Sequence, residues 1–222
     1  MKRTGLIAAA IALTLTAACN KDNTANKNAN GSTVGTAGRT DNSVSSGDRD
    51  FVRDVAAMNM AEIELGRLAS QRAAGNEVKQ FAQMVVTDHT QSGEKLKQFA
   101  SQHGIEVPAQ IEDKDRDLRE KLSSKQGMDF DKEYADAMVD RHQALVDKLE
   151  ARIDKNTITR GSSDNPNGPD GKVKAQAVLP EKSDDANTMA LNEWAAATYP
   201  VAFAHLQAAK DLRDGVRKRS TN

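Results

Sequence analysis

Four long stretches of this chain repeat apolar residues at alternating spacings of three and four. That period suits a helix with one buried face and excludes an alternating strand. The first stretch runs through Phe51, Val55, Met58, Leu65 and Ala69, the second through Val78, Ala82, Val85, Leu96 and Phe99. The third carries Phe130, Tyr134, Met138, Leu145, Leu149 and Ile153. The fourth, about 184–217, carries Leu191, Trp194, Thr198, Val201 and Leu212. Gly75-Asn76, Gly104, Gly127 and Gly161 punctuate the series. Asp48 is read as the first N-cap, and a weaker amphipathic piece at about 111–125 carries Ile111, Leu118 and Leu122. Pro200 removes the bond to the carbonyl of Ala196 and is expected to kink the fourth helix. Such helices bury their stripes against one another. The expected fold class is therefore all-α: a four-helix bundle with a short extra helix between helices two and three. The short link at Gly75 makes the first two helices antiparallel. The 104–127 link is long enough to cross the bundle or to cap one end, and the period does not decide which.

Composition bounds the rest. All eight aromatics lie beyond residue 50, so the core begins there. Formal charge is −1 and no basic stripe is present, which argues against nucleic acid as a partner. No motif calls for a nucleotide or flavin. The single cysteine, Cys19, excludes an internal disulfide framework and a cysteine-based zinc cluster. Upstream of it, Met1-Lys2-Arg3 and the apolar run Leu6–Leu15 read as a signal peptide over residues 1–18. Thr16-Ala17-Ala18-Cys19 resembles a bacterial lipobox, with Thr16 where Leu is commonest. That resemblance implies lipidation at Cys19, and Asn20 resembles the outer-membrane sorting pattern. Removal of Lys2 and Arg3 would leave 29 basic against 32 acidic residues, a net −3. Residues 19–47 hold almost no large apolar side chain and are expected to form a disordered tether. The bundle is placed at 48–217, with a polar insert at about 160–183.

Each long helix also carries one polar residue on its apolar stripe: Glu62, His89, His142 and His205. Glu62 lies 13 residues before Gly75 and His89 lies 14 after it. At the helical rise these are about 20 and 21 Å from that turn. The same count from the other turns puts all four near one mid-bundle layer. Three imidazoles and one carboxylate suit a single zinc, iron or manganese ion, with Asp88, Asp131 and Tyr134 as supporting partners. The competing reading is a buried polar network in which Glu62 accepts from imidazole, Tyr134 donates, and the layer fixes helix register. A di-iron centre would need Glu three places before a histidine on two helices. Those places hold Val86, Ala100, Val139 and Ala202.

On these residues the chain resembles the ferritin-like domain-of-unknown-function family of bacterial secreted and predicted outer-membrane proteins. The matching segments are AEIELGRLAS (61–70), EVKQFAQMVVTDHTQSGEKLKQFA (77–100), FDKEYADAMVDRHQALVDKLE (130–150) and YPVAFAHLQAAKDL (199–212). The chain departs from the family pattern at Tyr199-Pro200, where Leu-Pro is usual, and in its longer link before the last helix. The resemblance implies a ferritin-like bundle with a crossover between helices two and three, and supplies no activity. The expected protein is a lipid-anchored envelope protein facing the periplasm. The first reading of its role is a non-catalytic binding or structural module, open to homo-oligomers. The alternative is a metal-binding or metal-dependent oxidoreductase-like protein using the Glu/His layer.

Overall fold

A computed structural model describes residues 44–158 and 178–221. The proposed signal peptide, Cys19, the tether up to residue 43 and most of the insert lie outside the described residues. Within them the chain is helical and forms no strand: α1 Ser46–Arg72, α2 Asn76–Gln102, α3 Asp113–Ser123, α4 Gly127–Glu150 and α5 Ala186–Arg219. A 3-10 turn, Lys155–Thr157, follows α4. No helix among the described residues is long and apolar enough to cross a membrane.

The bundle starts earlier than the sequence suggested. Ser45, not Asp48, caps α1, its side chain accepting from the Asp48 N–H at 3.1 Å. Val44 is buried in the core, so residues 44–47 belong to the bundle rather than to the tether. Asp48 is buried and ties three segments together. It accepts from the Ser45 hydroxyl (2.8 Å) and the Thr188 hydroxyl (2.6 Å) and pairs with Arg152. Burial alone would raise its carboxyl pKa; the bonds from Thr188, Arg152 and Ser45 outweigh that and lower it.

Three contacts give the direction of every long helix. Asp131, at the start of α4, accepts from the N–H groups of Ala74 (2.9 Å) and Gly75 (2.7 Å) in the α1–α2 turn. Arg219, at the end of α5, pairs with Glu77 at the start of α2. Asp48, at the start of α1, meets Thr188 at the start of α5 and Arg152 just beyond α4. Hence α2 and α4 both start at the turn end, while α1 and α5 both finish there. The connection between α2 and α4 must therefore run the length of the bundle, about 40 Å for a helix of 27 residues. Neighbours agree: α1 packs on α2 and α4, and α5 packs on α4 and α2. The link left open by periodicity is a crossover, and α3 lies within it against α1 and α4.

The predicted stripes of the first three long helices largely coincide with the buried faces. That of α5 is rotated. Leu191, Ala195, Tyr199, Ala202, Leu206, Ala209 and Val216 are buried, whereas Val201 is 45% exposed and Trp194 and Thr198 are only half-buried. Ala195, Ala196, Ala202 and Ala209 take up part of the buried face of α5, and larger residues outside it, such as Val201, misled the periodicity. His205 is buried on either count. Pro200 is exposed, and α5 continues through it as one helix of 34 residues.

Two glycines do specific work. Gly104 takes a positive φ of 62° just past α2, where the Ile105 N–H returns to the Ala100 carbonyl at 2.8 Å. A Cβ on Gly66 would stand 2.8 Å from Val86 Cγ2 and 3.1 Å from the Ala82 carbonyl oxygen. Gly66 thus sets the close approach of α1 and α2. After the insert the chain returns against the end of α4, where Ile153 and Pro180 form an antiparallel bridge.

Candidate metal centre

The crossover brings one polar residue from each long helix to a single buried layer: Glu62 from α1, His89 from α2, His142 from α4 and His205 from α5. Glu62 and His142 are fully buried, with His89 4% and His205 3% exposed. The three imidazoles form a nearly equilateral triangle, with ring centres 5.4, 5.5 and 5.4 Å apart. One nitrogen from each ring lies within 4.8 Å of the others. Rings bound to one tetrahedral ion at about 2.1 Å would stand about 5.3 Å apart, and rings at right angles about 4.5 Å.

Each imidazole has one nitrogen committed to an oxygen. His89 Nδ1 meets Asn59 Oδ1 at 2.8 Å, His142 Nδ1 meets the Met138 carbonyl at 2.9 Å, and His205 Nε2 meets Asp88 Oδ2 at 2.9 Å. A carbonyl or carboxylate only accepts, so these nitrogens donate, and each neutral ring keeps a lone pair on its other nitrogen. Those are His89 Nε2, His142 Nε2 and His205 Nδ1. The last two have no hydrogen-bond partner.

Glu62 faces the same space. Its Oε2 lies 2.9 Å from His89 Nε2 and 3.5 Å from His142 Nε2, and its Oε1 lies 3.9 Å from Arg141 Nε. The 2.9 Å approach of His89 Nε2 is the closest polar contact of the carboxylate, and a proton there makes it the bond that a buried polar network needs. His142 Nε2 and His205 Nδ1 have no hydrogen-bond partner. Three ring nitrogens and a carboxylate converging on one space are also a donor set that suits a cation.

Protonation directions fit. Burial would push the Glu62 carboxyl up, but His142, His89 and Arg141 around it hold it well below the ordinary carboxylate range. Burial lowers His142, outweighing the pull of Glu62, and likewise lowers His205, outweighing Asp88. A carboxylate and neutral imidazoles are the forms that bind metal. A buried base with a depressed pKa binds fewer protons folded than unfolded. Stability of the metal-free protein should therefore fall as pH drops through the unfolded imidazole value of 6.5. Melting temperature measured without metal from pH 8 to 5 checks this, and a flat profile would refute it.

The supporting residues sort differently from the sequence expectation. Asp88 is a partner, but of His205 across the bundle rather than of its neighbour His89. Asp131 is no part of the layer; it holds the α1–α2 turn. Tyr134 is buried beneath the layer, stacked on Phe130 and edge-on to Phe81, and its hydroxyl donates to no partner. Burial, then the Glu62 charge, raise its pKa. Sequence reasoning missed Asn59 and Arg141 of α4, which reaches Glu62 and pairs with Asp115 of α3 at 2.6 Å. Asn59 had a signal, a polar residue one turn before Glu62. Arg141 had none, because Asp115 comes near it only through the crossover.

No curated protein and no solved structure matches the chain. Residues 34–159 do match a family described as a domain of unknown function. The match takes in α1 to α4 with Glu62, His89 and His142, and stops before α5 and His205. Because that match covers more than half of the 222 residues, the chain belongs to the DUF4142 family.

Proposed function

We propose that this protein is a metal-binding module holding one divalent transition-metal ion through Glu62, His89, His142 and His205. The observation that carries the reading is the convergence of one nitrogen from each of three imidazoles within 4.8 Å of one another, beside the Glu62 carboxylate, with His142 Nε2 and His205 Nδ1 lacking any hydrogen-bond partner. Three imidazoles with ring spacing near the tetrahedral value, and Glu62 close to two of them, favour zinc, with iron or manganese as alternatives. The single crossover and the paired helix directions support a ferritin-like bundle. Ferritin-like architecture by itself does not argue for iron storage, and the one-carboxylate layer argues against a di-iron centre.

The test is elemental analysis of protein purified from its native host. About one ion per chain is expected. Adding metal at 100 times Kd to metal-free protein should stabilise it by about 2.7 kcal/mol. No metal in the native sample and no thermal shift would reject the reading.

The sequence supports a setting for this module: export, lipidation at Cys19, and a tether that holds the bundle off the outer membrane on its periplasmic side. Cys19→Ser protein should leave the membrane fraction while still being exported. Continued membrane attachment would rule out the lipid as the anchor.

A further inference from the structure

A small cavity of about 20 Å³ adjoins the metal layer, between α1, α2 and α5. It is lined in part by Asn59, Ser92, Trp194, Val201 and His205. Four buried polar atoms of these residues have no hydrogen-bond partner: Asn59 Nδ2, Ser92 Oγ, Trp194 Nε1 and His205 Nδ1. An unsatisfied buried polar atom is costly, and native proteins keep few of them. Four in the lining of one cavity point to an occupant.

The donor chemistry says what kind. Asn59 Oδ1 faces His89, which leaves its amide N–H₂ free. The Trp194 indole N–H can only donate, and the Ser92 hydroxyl can do so. His205 Nδ1 is the lone pair assigned above to the metal. The cavity therefore offers these three donors beside two metal ligands, His89 and His205, while the Asp88 carboxylate in its wall accepts from His205 Nε2 and the Thr198 hydroxyl donates to the Trp194 carbonyl. An occupant there meets the ion at one end and N–H and O–H groups at the other. About 10–15 Å³ suffices for one water, so the space admits an occupant of very few atoms. Val201, 45% exposed, forms part of the wall.

We propose that this cavity is an exogenous-ligand site of the metal centre. It takes a hydrogen-bond-accepting ligand of one to three atoms, such as water, hydroxide or a small linear anion. The inference rests on the metal reading above and adds that the bound ion accepts a further ligand from this side. Trp194, Ser92 and Asn59 are positioning residues that hold the ligand's outer atom.

The test uses the full chain loaded with cobalt(II), whose visible bands report ligand exchange, and azide as the probe. Metal content is measured first; a chain that retains no cobalt or native ion overturns both the metal reading and this one. With cobalt bound, azide should shift the visible bands, whereas the bulkier acetate at equal concentration should not. Trp194→Phe and Ser92→Ala should each weaken azide about tenfold, the size expected for one lost hydrogen bond, with cobalt content unchanged. Retained cobalt with no azide response, equal response to acetate, or azide affinity unaltered in both variants would overturn the proposal while leaving the metal reading standing.

Discussion

His142→Ala protein should emerge from purification without metal, and its thermal response to added zinc, iron or manganese should vanish. His142 is the most enclosed of the three imidazoles. Its ring is fixed by the Met138 carbonyl at 2.9 Å and by an edge contact with Phe81, whose ring centre lies 5.9 Å away. No solvent can replace its nitrogen without opening the core. Losing a partner that merely orients a ligand costs 10–100-fold in affinity, so loss of the ligand itself should exceed about 100-fold. The variant should be destabilised even without metal, because the buried Glu62 carboxylate loses the imidazole that does most to hold its charge, so its own metal-free melting curve is the reference. Elemental analysis and paired melting curves with and without metal read both halves. A variant that keeps about one ion per chain would refute the assignment of His142.

Phe130→Ala should do the reverse. Phe130 is completely buried one turn before Tyr134, with the two rings stacked at 6.2 Å. Truncating such a side chain typically costs 3–5 kcal/mol through lost burial and the cavity left behind. In a domain of this size that lowers the melting point by about 6–20 °C. Phe130 touches none of the four ligands in the contacts described, so metal stoichiometry should hold below the new transition. Calorimetry with metal analysis separates the two effects. A Phe130→Ala protein with unchanged melting temperature would mean the base of the core is looser than its burial implies.

The two substitutions also mark what could be read in advance. Phe130 and His142 sit on one 3/4 series, and every member of that series is buried. Period alone found the helices, their buried faces in α1, α2 and α4, and one polar residue per long helix. It failed on α5, because Ala195, Ala196, Ala202 and Ala209 weaken the signal of the buried face and outward residues such as Val201 shift it. It also failed on partners. Asp88 and His205 are 117 residues apart in sequence, and Asp131 reaches a turn 56 residues upstream. Such pairings follow from the crossover, and nothing in helical period encodes which helix stands diagonal to which. The family resemblance supplied the crossover as an expectation, and the capping contacts of Asp131, Glu77 and Asp48 establish it.

One ligand per long helix has a consequence for when the ion arrives. From Glu62 to His205 the four ligands span most of the folded chain, and no two of them share a helix. No fragment emerging early in synthesis contains the complete set. Capture at full affinity waits until α5 has docked and the crossover has closed. Binding free energy is then gained at the final stage of assembly, and it favours the completed bundle over every partly folded chain. First-row metals compete in a fixed order of affinity for a site of this kind. On the proposed metal reading, the ion that the site takes is therefore the one available where the last helix docks.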